Sequence, residues 1–319
     1  MLKAYRLIEG RMAEAQDGQG DVLLFISPTD EEKRSLIAEH GLDEHTLMSA
    51  LDPDELARLE FEPNHFAMIL KRPRNYSSKD HFLFRTSSMG MFLFKEKLIL
   101  VSTEDVPLFE GRVFSRVNSL IHLALKLIYR SIFHFLEHLR VINMITDSLE
   151  QKINTSMENK YLLNLFTLEK SLVFYVSAIN SNSMLIEKLR MNADKIGLSP
   201  EDRELLDDIL IENNQCSRQA EIYSNILASL MDARASIVSN NLNILMKTLN
   251  IITIGIMVPT FVVSTFSMNV EFPLREHPYA FWLIMGMGFI SVIMFLWIWT
   301  FADRSRRNGR ARSPAGGSS

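Results

Sequence analysis

The sequence predicts an α/β domain that leads into long α-helices and ends in two membrane-spanning helices. Three observations predict it. Up to about Gly111, short apolar runs alternate with turn residues. Residues 112–196 and 201–254 then contain neither glycine nor proline, the residues that interrupt helices. Finally, residues 248–270 and 278–302 carry no charged side chain, and a bilayer core of about 30 Å needs roughly 20 such residues at ~1.5 Å rise each.

Taken in order, Asp21–Ile26 (DVLLFI) reads as a buried strand. Thr29 and Glu32 have capping-box spacing and open a helix that Gly41 can close. A second short helix covers His45–Leu51, before a turn at Pro53. Further strands fall at Phe66–Lys71, Met89–Phe94 and Leu98–Ser102, the last two joined by a hairpin turn at Lys95-Glu96-Lys97. No glycine-rich phosphate loop occurs, so ATP is not expected as a partner.

Between about Ser119 and Ala193 the pattern predicts one or two long helices, turning near Asn154–Asn159. Gly197-Leu198-Ser199-Pro200 breaks it. Ser199 is a good N-cap and Pro200 a good first helical residue. Nothing stops the next helix before about Phe266, which makes it roughly 100 Å long. Ile222, Ile226, Ala233 and Ile237 keep the spacings of a coiled-coil-like seam. Gly255 and Pro259 lie in its uncharged part, where membrane helices tolerate a local kink.

The expected domains are a cytosolic α/β domain over 1–112, a long-helix cytosolic stalk over 113–245, and a membrane domain over 246–302. The spans cover about 246–267 and 278–302 with a short external loop between them, and 303–319 form a basic flexible tail. Trp282, Trp297 and Trp299 sit near the ends of the second span, as in an interfacial belt. Arg304, Arg306, Arg307, Arg310 and Arg312 follow it, whereas the loop holds only Arg275. The positive-inside rule then places both termini in the cytoplasm of a multi-pass protein of the inner (cytoplasmic) membrane. The opening MLKAYRLIEGRM lacks the apolar core of a secretory leader.

The first span is polar for a simple anchor. Asn243, Asn250, Met257 and Ser264 recur every seventh residue, as do Met246, Thr253, Thr260 and Ser267, and the two rows are neighbours on a helix. Such a face either packs against other helices or lines water. One such helix cannot enclose a pore, so a water-lined reading requires a homo-oligomer. Glu271 and Glu276 in the loop would then concentrate cations at the mouth. A net charge of −4 argues against nucleic acid as a partner, and the lone Cys216 excludes an intrachain disulfide.

This architecture, with Ser267-Met268-Asn269 closing the first span and Pro273 shortly after, resembles the CorA family of magnesium transporters, most sharply over Ser239–Pro273. That family has Gly-Met-Asn at this point. The resemblance implies a funnel-shaped homopentamer in the lipid bilayer that passes Mg²⁺, with Co²⁺ or Ni²⁺ as further cargo, under the control of cytosolic Mg²⁺. It implies no organic cofactor and no enzymatic activity. It also implies a selectivity site at Ser267, Met268 and Asn269, and a pore lined by Asn243, Met246, Leu249, Met257 and Thr260. Asn250, Thr253 and Ser264 continue that lining as members of the polar rows. Asp232 would lie near the cytosolic mouth, and Asp208 in a regulatory metal site between subunits, with Asp52, Asp54 and Glu55 as candidate partners. Serine in the glycine position either forbids backbone geometry the glycine allows or adds a hydroxyl to an already polar mouth.

Mg²⁺ sheds water reluctantly, so a ring of neutral Asn269 amides accepting hydrogen bonds from a hydrated ion suits it. Two rival readings remain: a zinc transporter of a related branch with proton coupling, and a membrane-tethered structural or signalling relative that no longer conducts. His134-Phe-Leu-Glu137-His138 matches an H-x-x-E-H pattern of some zinc proteases. No further ligand is evident, and a partly exposed pair on a long helix is the expectation.

Overall fold

In a computed structural model the structure describes residues 1–16, 18–76, 82–155, 159–268 and 278–311. The chain divides into two compact units, Met1–Asp232 and Ala233–Ser319.

The first unit is built on a seven-stranded sheet of order β2-β1-β3-β7-β6-β5-β4. Its strands are β1 (Leu2–Ile8), β2 (Arg11–Ala15), β3 (Val22–Ile26), β4 (Arg58–Phe61), β5 (Phe66–Pro73), β6 (Thr86–Leu93) and β7 (Leu98–Ser102). Among the described strands, β3 and β7 are the pair that runs parallel. Both are buried along their whole length, which explains their continuous apolar runs. Sequence pattern missed β1, β2 and β4. β2 and β4 are edge strands carrying charges, and β1 alternates exposed and half-buried residues, so none shows the apolar run of a central strand.

Helices α1 (Asp30–His40) and α2 (Glu44–Leu51) cover one face of the sheet. The expected capping box at Thr29 and Glu32 is formed, and Gly41 closes α1 in the left-handed conformation with φ 66°. Leu36, Leu47 and Ala50 pack there on Phe25, Phe92, Ile99 and Val101. On the other face lie α3 (Leu120–Thr155) and α4 (Asn159–Met191), followed by the single turn α5 (Ala193–Ile196). The expected turn near 154–159 thus separates two helices. The first part of α6 (Pro200–Phe266) adds Leu206, Ile209, Cys216, Ala220 and Leu227 to the same core. Burial holds the Cys216 thiol up at about 12, an inert group.

Two polar clamps fix these helices. β4 pairs with β5 only as far as Ile69, which leaves the next stretch of that strand edge uncovered. Asn182 of α4 fills the gap: its Oδ1 accepts from Lys71 N at 2.9 Å and its Nδ2 donates to Lys71 O at 2.8 Å. The second clamp starts α6. Ser199 caps Asp202 N at 3.1 Å as expected, while Asp202 Oδ1 meets His122 Nδ1 at 2.7 Å, both side chains buried.

By length and composition, three helices among the described residues are apolar enough to cross a membrane: α4 over Lys160–Met191, α6, and α7 (Ala280–Ala311) over Ala280–Phe301. In α4, Leu165, Leu168, Leu172, Tyr175, Ile179, Ile186 and Leu189 are fully or nearly fully buried in the soluble-type core. The most apolar stretch of α6 has no buried residue at all.

Candidate functional site

In the second unit, α6 and α7 pack along matching stripes. Ile251, Gly255, Val258, Val262 and Phe266 are half-buried on α6, whereas most of their neighbours are exposed. Ile284, Met287, Gly288, Ser291, Val292 and Phe295 form the covered stripe of α7. At this contact a β-carbon on Gly255 would lie 3.7 Å from the Phe295 ring, and one on Gly288 3.7 Å from Val263, both ordinary contact distances.

At about 100° per residue, the Asn243 and Met246 rows fall on the side of α6 away from that stripe. Asn243, Met246, Leu249, Asn250, Thr253, Met257, Thr260, Ser264, Ser267 and Met268 are all exposed in the single chain. The structure therefore brings the expected pore residues onto one uncovered face. Asn269, Glu271 and Glu276 lie outside the described residues.

Sequence reading missed where the hydroxyl protons go. Thr253 Oγ1 donates to Leu249 O at 2.8 Å, Thr260 Oγ1 to Ile256 O at 2.7 Å, and Ser267 Oγ to Ser264 O at 2.9 Å. The donors are committed to the helix, so the outward side of each oxygen offers lone pairs only. A signal for this was present, because Thr in a helix interior commonly back-bonds to the fourth preceding carbonyl. Lys247, the charge nearest this face, turns the other way, with Nζ 5.4 Å from the centre of the Trp299 ring on α7.

Among the described non-glycine residues, positive φ occurs at Glu9, Ser27 and Phe82, not at Ser267. Ser267 itself has an ordinary negative φ.

Asp208 and Asp232 belong to the first unit, and both are exposed on α6. Asp208 and Glu212 lie near Tyr129 of α3, where their charge adds to the burial that raises its phenol. Among Asp52, Asp54 and Glu55, the last is ion-paired with Arg58, and Asp52 Oδ1 accepts from Asp54 N at 2.9 Å. Beneath this turn the buried Lys71 ammonium donates to Pro53 O and to Ser88 Oγ, and burial lowers its pKa.

The His134–Glu137–His138 motif is more buried than expected. His138 Nδ1 lies 2.6 Å from the Tyr175 hydroxyl, and Glu137 faces Arg130 at 3.5 Å. Among the described residues no group of three or more His, Cys, Asp or Glu is placed to hold a metal.

A profile of the CorA-like Mg²⁺ transporter protein family matches residues 23–307. The chain belongs to that family. It is thus a membrane transporter of divalent cations and not an enzyme. The cobalt/magnesium transport protein CorA of Methanocaldococcus jannaschii is 23% identical over 286 residues, covering 85% of this chain and 87% of that protein. The complete structure of the magnesium transporter CorA from Methanocaldococcus jannaschii superposes with a TM-score of 0.78 at 21% identity, covering 93% of this chain and 96% of that one. Full-length CmaX gives 0.67 at 15% identity, covering 94% and 96%. These likenesses identify the fold of this chain as CorA-like.

Proposed function

We propose that the chain forms a homopentamer in the inner membrane in which α6 lines a water-filled axis for Mg²⁺. α6 and α7 are then the two spans, joined by an external loop, with the α/β domain over 1–112, the stalk over 113–245 and the basic tail in the cytoplasm. The observation that carries this reading is the uncovered polar face of α6, opposite the stripe that α7 occupies. A monomer would leave these amides and hydroxyls against acyl chains, which is costly.

The face suits a hydrated divalent cation. Water bound to Mg²⁺ turns its hydrogens outward, and Thr253, Thr260 and Ser267 offer acceptors with no competing donors. An Asn269 ring extends this at the selectivity site, while Glu271 and Glu276 draw cations to the mouth. Met246, Leu249 and Met257, each more than half exposed, form apolar rings that close by excluding water. Transport needs no ATP: a divalent ion moving inward gains roughly 4.6 kcal/mol per 100 mV of inside-negative potential. Co²⁺ and Ni²⁺ are further cargo.

Cytosolic Mg²⁺ is the proposed regulator. Asp208 offers a hard oxygen ligand on the exposed side of α6, and Asp232 another nearer the spans. One chain assembles no complete cluster among the described residues, so a neighbouring subunit supplies the remaining ligands. Binding would offset carboxylate repulsion and clamp subunits together.

Flux of Mg²⁺ into vesicles containing the purified protein tests the reading. Zn²⁺ flux driven by a pH gradient would favour the zinc branch. Absence of flux in both the parent and Ser267→Gly would favour a non-conducting tether.

A further inference from the structure

Away from the proposed pathway, the first unit contains a cavity of about 180 Å³ between the end of β5, the segment after β7 and α3. Its rim is formed by the exposed Asn75, Glu110, Arg130 and Glu137, and its lining includes the half-buried His134. Arg72 also lines it and is only 5% exposed, yet its Nη1 has no hydrogen-bond partner among the described residues. The charge of Glu104 acts on Arg72, and Glu110 stands exposed on the rim, but no carboxylate is within hydrogen-bond reach of Nη1 among the described residues. Glu104 pairs with Arg74 at 2.5 Å, and Glu137 faces Arg130 at 3.5 Å.

A buried guanidinium with an unmade N–H donor carries a desolvation penalty that an anion hydrogen-bonded to it would offset. Arg130 adds a second guanidinium to the lining, beside the exposed carboxylates of Glu110 and Glu137 on the rim. His134 is held near 3 by burial and by the positive fields of His138, Arg72 and Arg130, so it remains neutral and can donate one N–H. Planar guanidinium groups meet oxyanions through paired N–H donors. The volume admits a small polyatomic ion together with water, and apolar Met89, Leu108 and Leu127 complete the wall.

We propose that this cavity binds a small oxyanion, its charge paired with Arg72 and its outer oxygens met by Arg130 and His134. Phosphate and carboxylate share this chemistry. Bound there, the anion would tie β5 to α3 within the first unit.

Calorimetry and thermal unfolding of the purified full-length protein in detergent test the proposal, with sodium phosphate, acetate and chloride compared at equal ionic strength and without added Mg²⁺. Saturable binding of phosphate, one per chain, is expected. Acetate binding that responds to the same variants would instead identify the carboxylate source. Arg72→Met should weaken binding about tenfold or more, and without oxyanion it should unfold no earlier than the parent. Should that variant fail to fold, Arg130→Gln and the cavity-filling His134→Phe must each weaken binding several-fold. Equal stabilisation by chloride, or oxyanion binding indifferent to these substitutions, overturns the proposal. So does a loss of stability in Glu110→Gln that matches the anion-free Arg72→Met, which would make Glu110 the internal partner.

Discussion

The Thr260 hydroxyl donates to the Ile256 carbonyl across 2.7 Å, so its oxygen presents only lone pairs to the uncovered face of α6. Thr253 does the same toward Leu249. A helix that consumes its own hydroxyl protons becomes a row of acceptors, the complement of a cation that keeps its water shell.

Thr260→Val keeps the shape of this side chain and removes the acceptor from every subunit. Mg²⁺ flux into vesicles should fall about tenfold, the equivalent of one ordinary hydrogen bond lost in the barrier. Thr260→Ser should stay near the parent, and the oligomer should be unchanged in both. Parent-level flux in the valine variant would remove the acceptor row from the mechanism.

Asn182→Leu leaves Lys71 N and O without partners at a strand edge that β4 does not reach. Two buried backbone groups left unmade cost about 2–6 kcal/mol. Thermal unfolding should show the loss as a clearly lowered midpoint, with no change in which cation is transported.

His134 and His138 titrate near 3 and 4 in the folded chain, against an ordinary value of 6.5, chiefly through burial. Well above pH 6.5 both are neutral folded or unfolded, and their contribution is constant. As pH falls through 6.5 toward 4, the unfolded chain takes up protons that the folded chain refuses, so stability declines. Denaturant titrations across this window should show a steeper decline in the parent than in His134→Gln/His138→Gln. Equal slopes would contradict the assignment.

Asp208→Ala removes a proposed ligand for cytosolic Mg²⁺. Inhibition of flux by internal Mg²⁺ should move to at least several-fold higher concentration, while maximal flux is retained. An unchanged inhibition curve would exclude Asp208 from regulation.

Much of this fold is legible from local chemistry. Thr29, Gly41, Ser199 and Pro200 mark helix ends through their own side chains or backbone freedom, and the long glycine-free and proline-free stretches mark the helices between. What escaped depends on partners distant in sequence. Nothing near Asn182 announces Lys71, and the charges on β2 and β4 hide their strands because an edge strand has a solvent side. The polar rows were visible as a period of seven. Their orientation away from α7 was not, because it depends on which residues of a helix distant in sequence cover Ile251, Gly255, Val258 and Val262.

Cysteine accessibility along α6 tests the central claim most directly. In a Cys216→Ala background, single cysteines would be placed at 250, 253, 257, 260 and 264, and at 251, 258 and 262, then treated with a membrane-impermeant, charged thiol reagent during Mg²⁺ flux. Modification and block at the first set with protection of the second is the expected result. Block confined to 251, 258 and 262, or no block at any position in a conducting protein, would contradict a pathway lined by the polar face of α6.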